Sequence, residues 1–310
     1  MARPPKLDLP LREGVAASAL ACPPGPWPTV LDFLAERLPL VARDDWAARL
    51  QRGDVLDDTG APLTPDAPYR AQRRLYYWRW LAAEPEVPGQ ARVLHLDEHL
   101  LVADKPHFLP VTPTGRYVQQ TLLTRLRRET GLADLSPVHR LDRETAGLTL
   151  FSVQPATRDA YQRLFRDRDV EKVYEAIAPW RDEVAARLPL SYDSRLEEHP
   201  VDFMQMRTVA GEPNARTRIA LIERLAADRA RYELRPHSGV KHQLRAQLCA
   251  LGLPIEGDRI YPVLQPVEDE VDFSRPLQLL AREIAFTDPI SGQSRRFVTS
   301  LELAGSIAPG

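Results

Sequence analysis

The run Thr149-Leu150-Phe151-Ser152-Val153 is filled by apolar and β-branched residues, and this predicts a buried strand. Val93 to Lys105 reads as two strands with a polar turn between them. A helix follows, with Val118, Leu122, Leu123 and Leu126 on one face and a stop at Gly131. Pro155 suits the first position of another helix, whose apolar stripe is Ala160, Tyr161, Leu164 and Phe165. In the strand Val170–Ala178, period two places Val170, Lys172, Tyr174 and Ala176 on one side and Val173 and Ile177 on the other. Asn214–Glu223 and Arg231–Pro236 read as antiparallel partners with a turn around Ala227-Asp228. A helix with Leu244, Leu248 and Leu251 ends at Gly252, whereas residues 180–215 read as irregular and polar.

The start of the chain has a different texture. Residues 1–27 are Pro-rich and read as an extended arm, broken at Pro23-Pro24-Gly25-Pro26. Thr29 suits the cap of a short helix carrying Val30, Leu31, Phe33, Leu34 and Leu38. A second short helix holds Trp46, Ala47 and Leu50, and Gly53–Gly60 reads as a strand and turn. The run Arg73-Arg74-Leu75-Tyr76-Tyr77-Trp78-Arg79-Trp80 joins aromatics to cations, suited to stacking on bases or to an edge strand with its rings in a core. Pro85–Gln90 is a linker. The pattern predicts an α+β protein: a small N-terminal α/β subdomain over residues 28–84 and a main domain over 92–300.

Composition narrows the function classes. A chain of 310 residues has room for one large domain and a small one. No run of about 18 apolar residues exists, so a membrane span is not expected. Met1–Lys6 begins basic but has no continuous apolar core after it, so neither is a secretory signal. The cysteines, Cys22 and Cys249, form no disulfide framework and no metal-ligand set. The expectation is a reduced, cytoplasmic protein with no metal and no cofactor. A net charge of −2 argues against an indiscriminate grip on nucleic acid, though not against a local basic groove. No coiled coil or repeat is visible, so a monomer is expected.

The densest chemistry lies in His139-Arg140-Leu141-Asp142-Arg143-Glu144-Thr145-Ala146-Gly147-Leu148. A carboxylate between Arg140 and Arg143 tends to stay ionised, which suits a nucleophile or a stabiliser of positive charge. The plainer alternative is a set of surface salt bridges, worth little. The stretch resembles the signature His-Arg-Leu-Asp-x-x-Thr-(Ser/Ala)-Gly-Leu of the RluA family of pseudouridine synthases. Two further stretches are similar to that family's motifs: Lys172-Val173-Tyr174-Glu175-Ala176, and Gly239-Val240-Lys241-His242-Gln243-Leu244-Arg245 with Gly252-Leu253-Pro254-Ile255-Glu256-Gly257-Asp258 beyond it. The Asp-Lys-Pro of Asp104-Lys105-Pro106 and a closing hairpin over Leu280–Val298 fit as well. Val240 departs from the family, which usually has Arg there, and Ala146 stands where Ser is usual. The order of helices and strands in residues 28–84 resembles the small S4-like RNA-binding module that precedes many of these catalytic domains.

The resemblance implies the pseudouridine synthase fold, a large mixed and mainly antiparallel sheet flanked by helices. It implies isomerisation of uridine in structured RNA, ribosomal or transfer. Asp142 would act at C1′ as nucleophile or charge stabiliser, or remove the 2′ proton; Arg245 would hold it, and Tyr174 would stack on the base. Leu244 would supply an apolar wall, and Arg140 would fill the stack vacated by the flipped base. Lys241, His242 and Gln243 join the substrate-binding set. His139 suits either an RNA contact or a hydrogen bond to a backbone carbonyl. The rivals are a catalytically silent RNA-binding protein on the same fold, a glycoside hydrolase using Asp142 with Glu144, and a plain interaction module.

Overall fold

The computed structural model describes residues 7–81, 83–266 and 272–304. The expectations placed on Met1–Lys6 lie outside them. The N-terminal block contains β1 (Ser18–Ala21), α1 (Val30–Arg37), α2 (Arg43–Gln51), β2 (Val55–Leu56) and β3 (Arg74–Tyr77). Thr29 caps α1 in a reciprocal capping box with Asp32, which satisfies orphan donors at both ends of the turn. Phe33, Leu34, Trp46, Leu50, Val55 and Leu75 form a core of their own. The aromatic-basic run is not an edge: β3 lies between β1 and β2, in antiparallel pairing with each. Its β1 neighbour comes from the Pro-rich arm.

The main sheet begins with β4 (Arg92–Leu96) and β5 (Leu100–Lys105). It continues through α3 (Leu122–Thr130), β6 (Ser136–Pro137), β7 (Ala146–Ser152), α4 (Pro155–Arg166) and β8 (Val170–Pro179). After a single turn, α5 (Asp182–Ala185), come β9 (Leu190–Glu198), β10 (Met206–Val209), β11 (Ala215–Ala226) and β12 (Arg229–Pro236). The chain closes with α6 (Gln243–Ala250), β13 (Leu279–Thr287) and β14 (Ser294–Val298). The strand order is β10-β9-β11-β12-β8-β13-β7-β5-β4, with β14 on β13 and β6 on β7. Every pairing is antiparallel except that of β13 with β7.

The apolar and β-branched character of β7 has a structural cause. α3 covers one face, where Leu101, Ala103, Leu122, Leu126 and Phe151 meet. α4 covers the other, where Val102, Leu148, Leu150, Tyr161 and Ile284 meet. A strand covered on both sides has no polar face to show. Each such buried Leu contributes about 1.5–3 kcal/mol.

Residues 180–215 are not irregular. They supply β9 and β10 at one edge of the sheet. Asp193, Arg195 and Glu197 alternate outward, while Ser194 and Leu196 are buried. The inner face is partly polar because Gln247 of α6 satisfies it, donating to the Tyr192 carbonyl and the Ser194 hydroxyl at 3.2 and 2.9 Å.

The parallel step between β13 and β7 places Gly147 opposite Ala281. Gly147 has φ +111°, and a Cβ there would lie 2.3 Å from the Ala281 carbonyl oxygen. Neither the backbone angle nor the space admits a side chain. Gly147→Ala is therefore expected to cost about 3 kcal/mol or more in urea unfolding. An unchanged unfolding midpoint would show that the two strands separate freely at this point.

Candidate active site

A cavity of about 130 Å³ opens where the loop before β7, the first half of β8 and the turn into α6 converge. Arg140, Asp142, Lys172, Tyr174, His242, Leu244 and Arg245 line it. The loop that carries Asp142 is short and tied at several points. The Thr145 N–H donates to the Asp142 carbonyl at 3.2 Å, closing a turn. From the end of β5, the fully buried Lys105 ammonium donates to the carbonyls of Pro106, Leu109 and Arg143 at 3.0, 2.8 and 3.0 Å. Burial pushes its pKa down to about 7, against the pull of Glu144 and Asp142. His107 Nδ1 meets the Glu144 carbonyl at 2.7 Å. Lys105 at the end of β5 and His107 two residues beyond it thus hold the backbone on the C-terminal side of Asp142.

Arg245 sits in the first turn of α6. It is 1% exposed, because α6 packs its first six residues into the protein. Its guanidinium is divided between two carboxylates. Nε and Nη2 donate to the two oxygens of Asp258 at 2.8 and 2.7 Å, and Nη1 donates to Asp142 Oδ2 at 3.1 Å. Burial works against the Arg245 charge, but the hydrogen bonds and charge of Asp258, then the charges of Asp142 and Glu144, outweigh it and raise its pKa. The Asp258 side chain is wholly buried, and its Oδ1 also accepts the N–H groups of Ile260 and Tyr261 at 2.8 and 3.1 Å. The Asp142 side chain is 31% exposed. One end of this chain of charges is locked in the fold, and the other reaches the cavity.

Tyr174 lies in β8, opposite Leu234 of β12 and Ala281 of β13. Burial, followed by the Asp142 charge, raises its hydroxyl pKa far above the ordinary range, so it is a neutral phenol. Lys172, two residues earlier on the same side, donates to the Ser238 carbonyl at 3.0 Å. Burial and then Arg168 push its pKa down to about 8. His242 brings Nε2 to 3.7 Å from Asp142 Oδ2. Its pKa is lowered by burial, with Asp142 opposing. Leu244 is buried at the cavity wall, and Arg140 is exposed at its mouth. Val240 packs beside Ile260 and Tyr261, so an apolar contact fills the position where a cation was expected.

Other residues of the expected set stand differently. Gln243 has no amide capacity left for a substrate. Its oxygen accepts from the Ser238 hydroxyl and the Val240 N–H at 2.9 and 3.1 Å, and its nitrogen donates to the Arg216 carbonyl and Thr217 Oγ1 at 3.0 and 2.9 Å. Lys241 is exposed and outside the cavity lining, bonded to the Phe203 carbonyl at 2.9 Å and 3.3 Å from Glu198. His139 bonds no carbonyl among the described residues. Its Nε2 accepts the Leu150 N–H at 3.1 Å, and its ring stacks on Phe165 at 4.3 Å. An acceptor nitrogen facing a backbone N–H requires the neutral ring. Burial, with the Lys172 charge, pushes the pKa down to about 3.

Sequence reasoning gave no role to Asp258, Lys105, His107 or Lys172. Asp258 and Lys105 were visible inside quoted motifs, as the Asp after Gly257 and the Lys of Asp-Lys-Pro. What was missing was the partner, more than ten residues away in one case and nearly forty in the other.

Asp258→Asn leaves the buried Arg245 short of one charge, and such losses cost about 3–5 kcal/mol. Urea unfolding of the variant should register a loss near that size; a wild-type midpoint would mean that Arg245 does not need Asp258. His139 gives a pH prediction. Above pH 6.5 the ring is neutral folded and unfolded, and its contribution is intact. As pH falls below 6.5, the unfolded chain takes up a proton that the folded ring refuses, so stability drops by about 1.4 kcal/mol per unit from this group. Between pH 6.5 and 5, His139→Gln should lose stability less steeply than the wild type. Equal slopes would refute the neutral, buried ring.

The family model of RNA pseudouridylate synthase matches residues 99–250. An uncharacterised RNA pseudouridine synthase of Synechocystis sp. is 32% identical over 235 residues, 75% of this chain and 79% of that protein. The dual-specificity RNA pseudouridine synthase RluA of Haemophilus influenzae is 32% identical over 218 residues, 69% of this chain and 94% of its own length. The solved structure of human RNA Pseudouridylate Synthase Domain Containing 1 shares the fold with a TM-score of 0.55 at 19% identity, covering 70% of this chain and 86% of that one. Relatives matched at this level over most of their length, together with the shared fold, establish that the chain belongs to the RluA-type family of RNA pseudouridine synthases.

Proposed function

We propose that Asp142, Arg245 and Tyr174 carry out the uridine isomerisation of this family, on a structured ribosomal or transfer RNA. One observation carries this reading. Asp142 is the only carboxylate among the described residues that line the cavity, and the buried Arg245 is aimed at it from behind. The reaction breaks the N1–C1′ bond of uridine, rotates the base and joins C5 to C1′; N1 gains a proton and C5 loses one. A carboxylate at the sugar serves the bond-breaking step, where positive charge develops. Arg245 acts through Asp142 by fixing its direction. Tyr174, neutral and half-buried, offers an aromatic face to the detached base and Leu244 an apolar wall. Arg140, at the mouth, fills the stack that the flipped nucleotide leaves.

The glycosidase reading loses support from the same geometry. It needs two carboxylates across one bond. Glu144 is outside the cavity lining and is paired with Arg143 at 2.8 Å.

We assign residues 92–300 as the catalytic domain and 28–84 as an S4-like accessory module. The order α1, α2, β2, β3 supports the latter, although α2 opens with Arg43-Asp44-Asp45 and is only partly basic. Among the described residues no helix is long and apolar enough to cross a membrane, and both cysteines are free. We place the protein in the cytoplasm as a monomer.

Asp142→Asn should fold as the wild type does and lose at least about 10²–10³-fold in rate. The check is pseudouridine mapping of total host RNA with the gene deleted and then restored. One or a few sites should vanish on deletion and return with the wild type only. Their return with Asp142→Asn would remove this carboxylate from the chemistry.

A further inference from the structure

A second cleft, of about 420 Å³, lies where the N-terminal block meets the segment 113–119 of the main domain. Four arginines line it, Arg12, Arg49, Arg52 and Arg79, against two acids, Glu13 and Asp54. The chain as a whole carries a net charge of −2, so this excess of cations is local. Asp54 pairs with Arg12 and Arg52 at 2.6 and 3.0 Å. Among the described residues, Arg49 and Arg79 have no carboxylate in hydrogen-bond contact, and Arg79 reaches only the carbonyls of Pro113 and Gly115, at 3.3 and 3.4 Å. The Arg49 guanidinium donates to a single acceptor among the described residues, the Trp80 carbonyl at 3.0 Å, although the residue is 9% exposed. Desolvation, with nearby Arg52 adding to it, lowers the Arg49 pKa despite the charges of Asp45 and Asp54.

Two indoles stand among these cations. Trp78 is buried, with the Arg12 guanidinium 3.8 Å above its ring centroid. Trp80 is 53% exposed. A large ring left open to water, next to guanidinium groups that meet no acid among the described residues, suits a flat, electron-rich group attached to an anion. A nucleobase on its phosphate has that chemistry.

We propose that this cleft binds a nucleotide of the RNA substrate outside the reacting uridine, with the base stacked on Trp80 and its phosphate met by Arg49 and Arg79. The inference rests on the RNA-modifying reading of the chain. The segment 113–119 connects the two sites, since Gln119 lines this cleft and Tyr117 accepts a hydrogen bond from Arg143, the neighbour of Asp142, at 3.3 Å. One RNA spanning that segment would be held at both its reacting and its distant nucleotides. Stacking carries no base code, so the contact is tolerant of sequence and adds affinity for single-stranded flanks.

The test uses the full chain and a fluorescein-labelled 12-mer of oligouridylate, with binding read by anisotropy. Trp80→Ala should weaken binding about five-fold or more, and Trp80→Phe should recover most of it. Arg79→Gln should weaken binding and flatten its salt dependence. Wild-type affinity in Trp80→Ala, or no binding of the oligomer by the wild type, would overturn the proposal. Tritium release from 5-tritiated uridine in RNA of a host lacking the gene tests the isomerase reading on its own, whichever way the binding data fall.

Discussion

A guanidinium buried to 1% exposure is the constraint around which the rest of the site is arranged. A charge removed from water is tolerated only when its hydrogen bonds and its counter-charge are supplied by the protein. Asp258 supplies most of this for Arg245, with two parallel bonds from a fully buried carboxylate. The remaining nitrogen, Nη1, has Asp142 as its partner. The fold therefore fixes the position of Asp142 from a side chain more than a hundred residues away, and leaves only its outer part open to the cavity. A carboxylate held this way needs no reorganisation when charge develops opposite it.

The backbone under Asp142 is fixed with the same economy. Lys105 and His107 bind carbonyls of the residues after it, and Gly147 lets β7 approach β13 in the sheet's one parallel pairing among the described residues. Gln243 does for the opposite wall what Lys105 does here, joining the loop at 238–240 to β11 through four hydrogen bonds. Lys105, Gly147 and Gln243 lie in motif-like stretches, and none needs to touch a substrate to be required. A motif in this protein mixes residues that face the cavity with residues that hold those in place.

Charge is distributed in keeping with the reaction. The acidic residues near the cavity are turned inward onto Arg245 or Arg143, apart from the outer part of Asp142, while Arg140 and Lys172 line the space itself. Val240 takes an apolar contact with Ile260 and Tyr261. The cation missing there is not replaced at that position, so Lys172 and Arg140 carry more of the positive character of the cavity lining.

Much of this was legible in the order of residues. The caps at Thr29 and Gly131, the start at Pro155 and the apolar run of β7 are local effects, decided by neighbours within one turn or one pleat. The expectation that Arg245 partners Asp142 came from motif resemblance and matches a 3.1 Å contact. Tertiary structure decided what depends on partners far along the chain. The strands in 180–215 were hidden because the polar inner residue Ser194 is satisfied by Gln247, which sequence adjacency does not reveal. β3 became a central strand because the arm pairs with it. His139 became a neutral acceptor once the Leu150 N–H had been placed against it. Asp258, rather than a surface group, became the anchor of the site because α6 is buried where Gly257-Asp258 returns to the sheet. A sequence states which groups carry charge or can turn, through short-range sterics and periodicity. Only the fold states which of them lose water, and the loss of water is what makes one ion pair a support and another a surface contact.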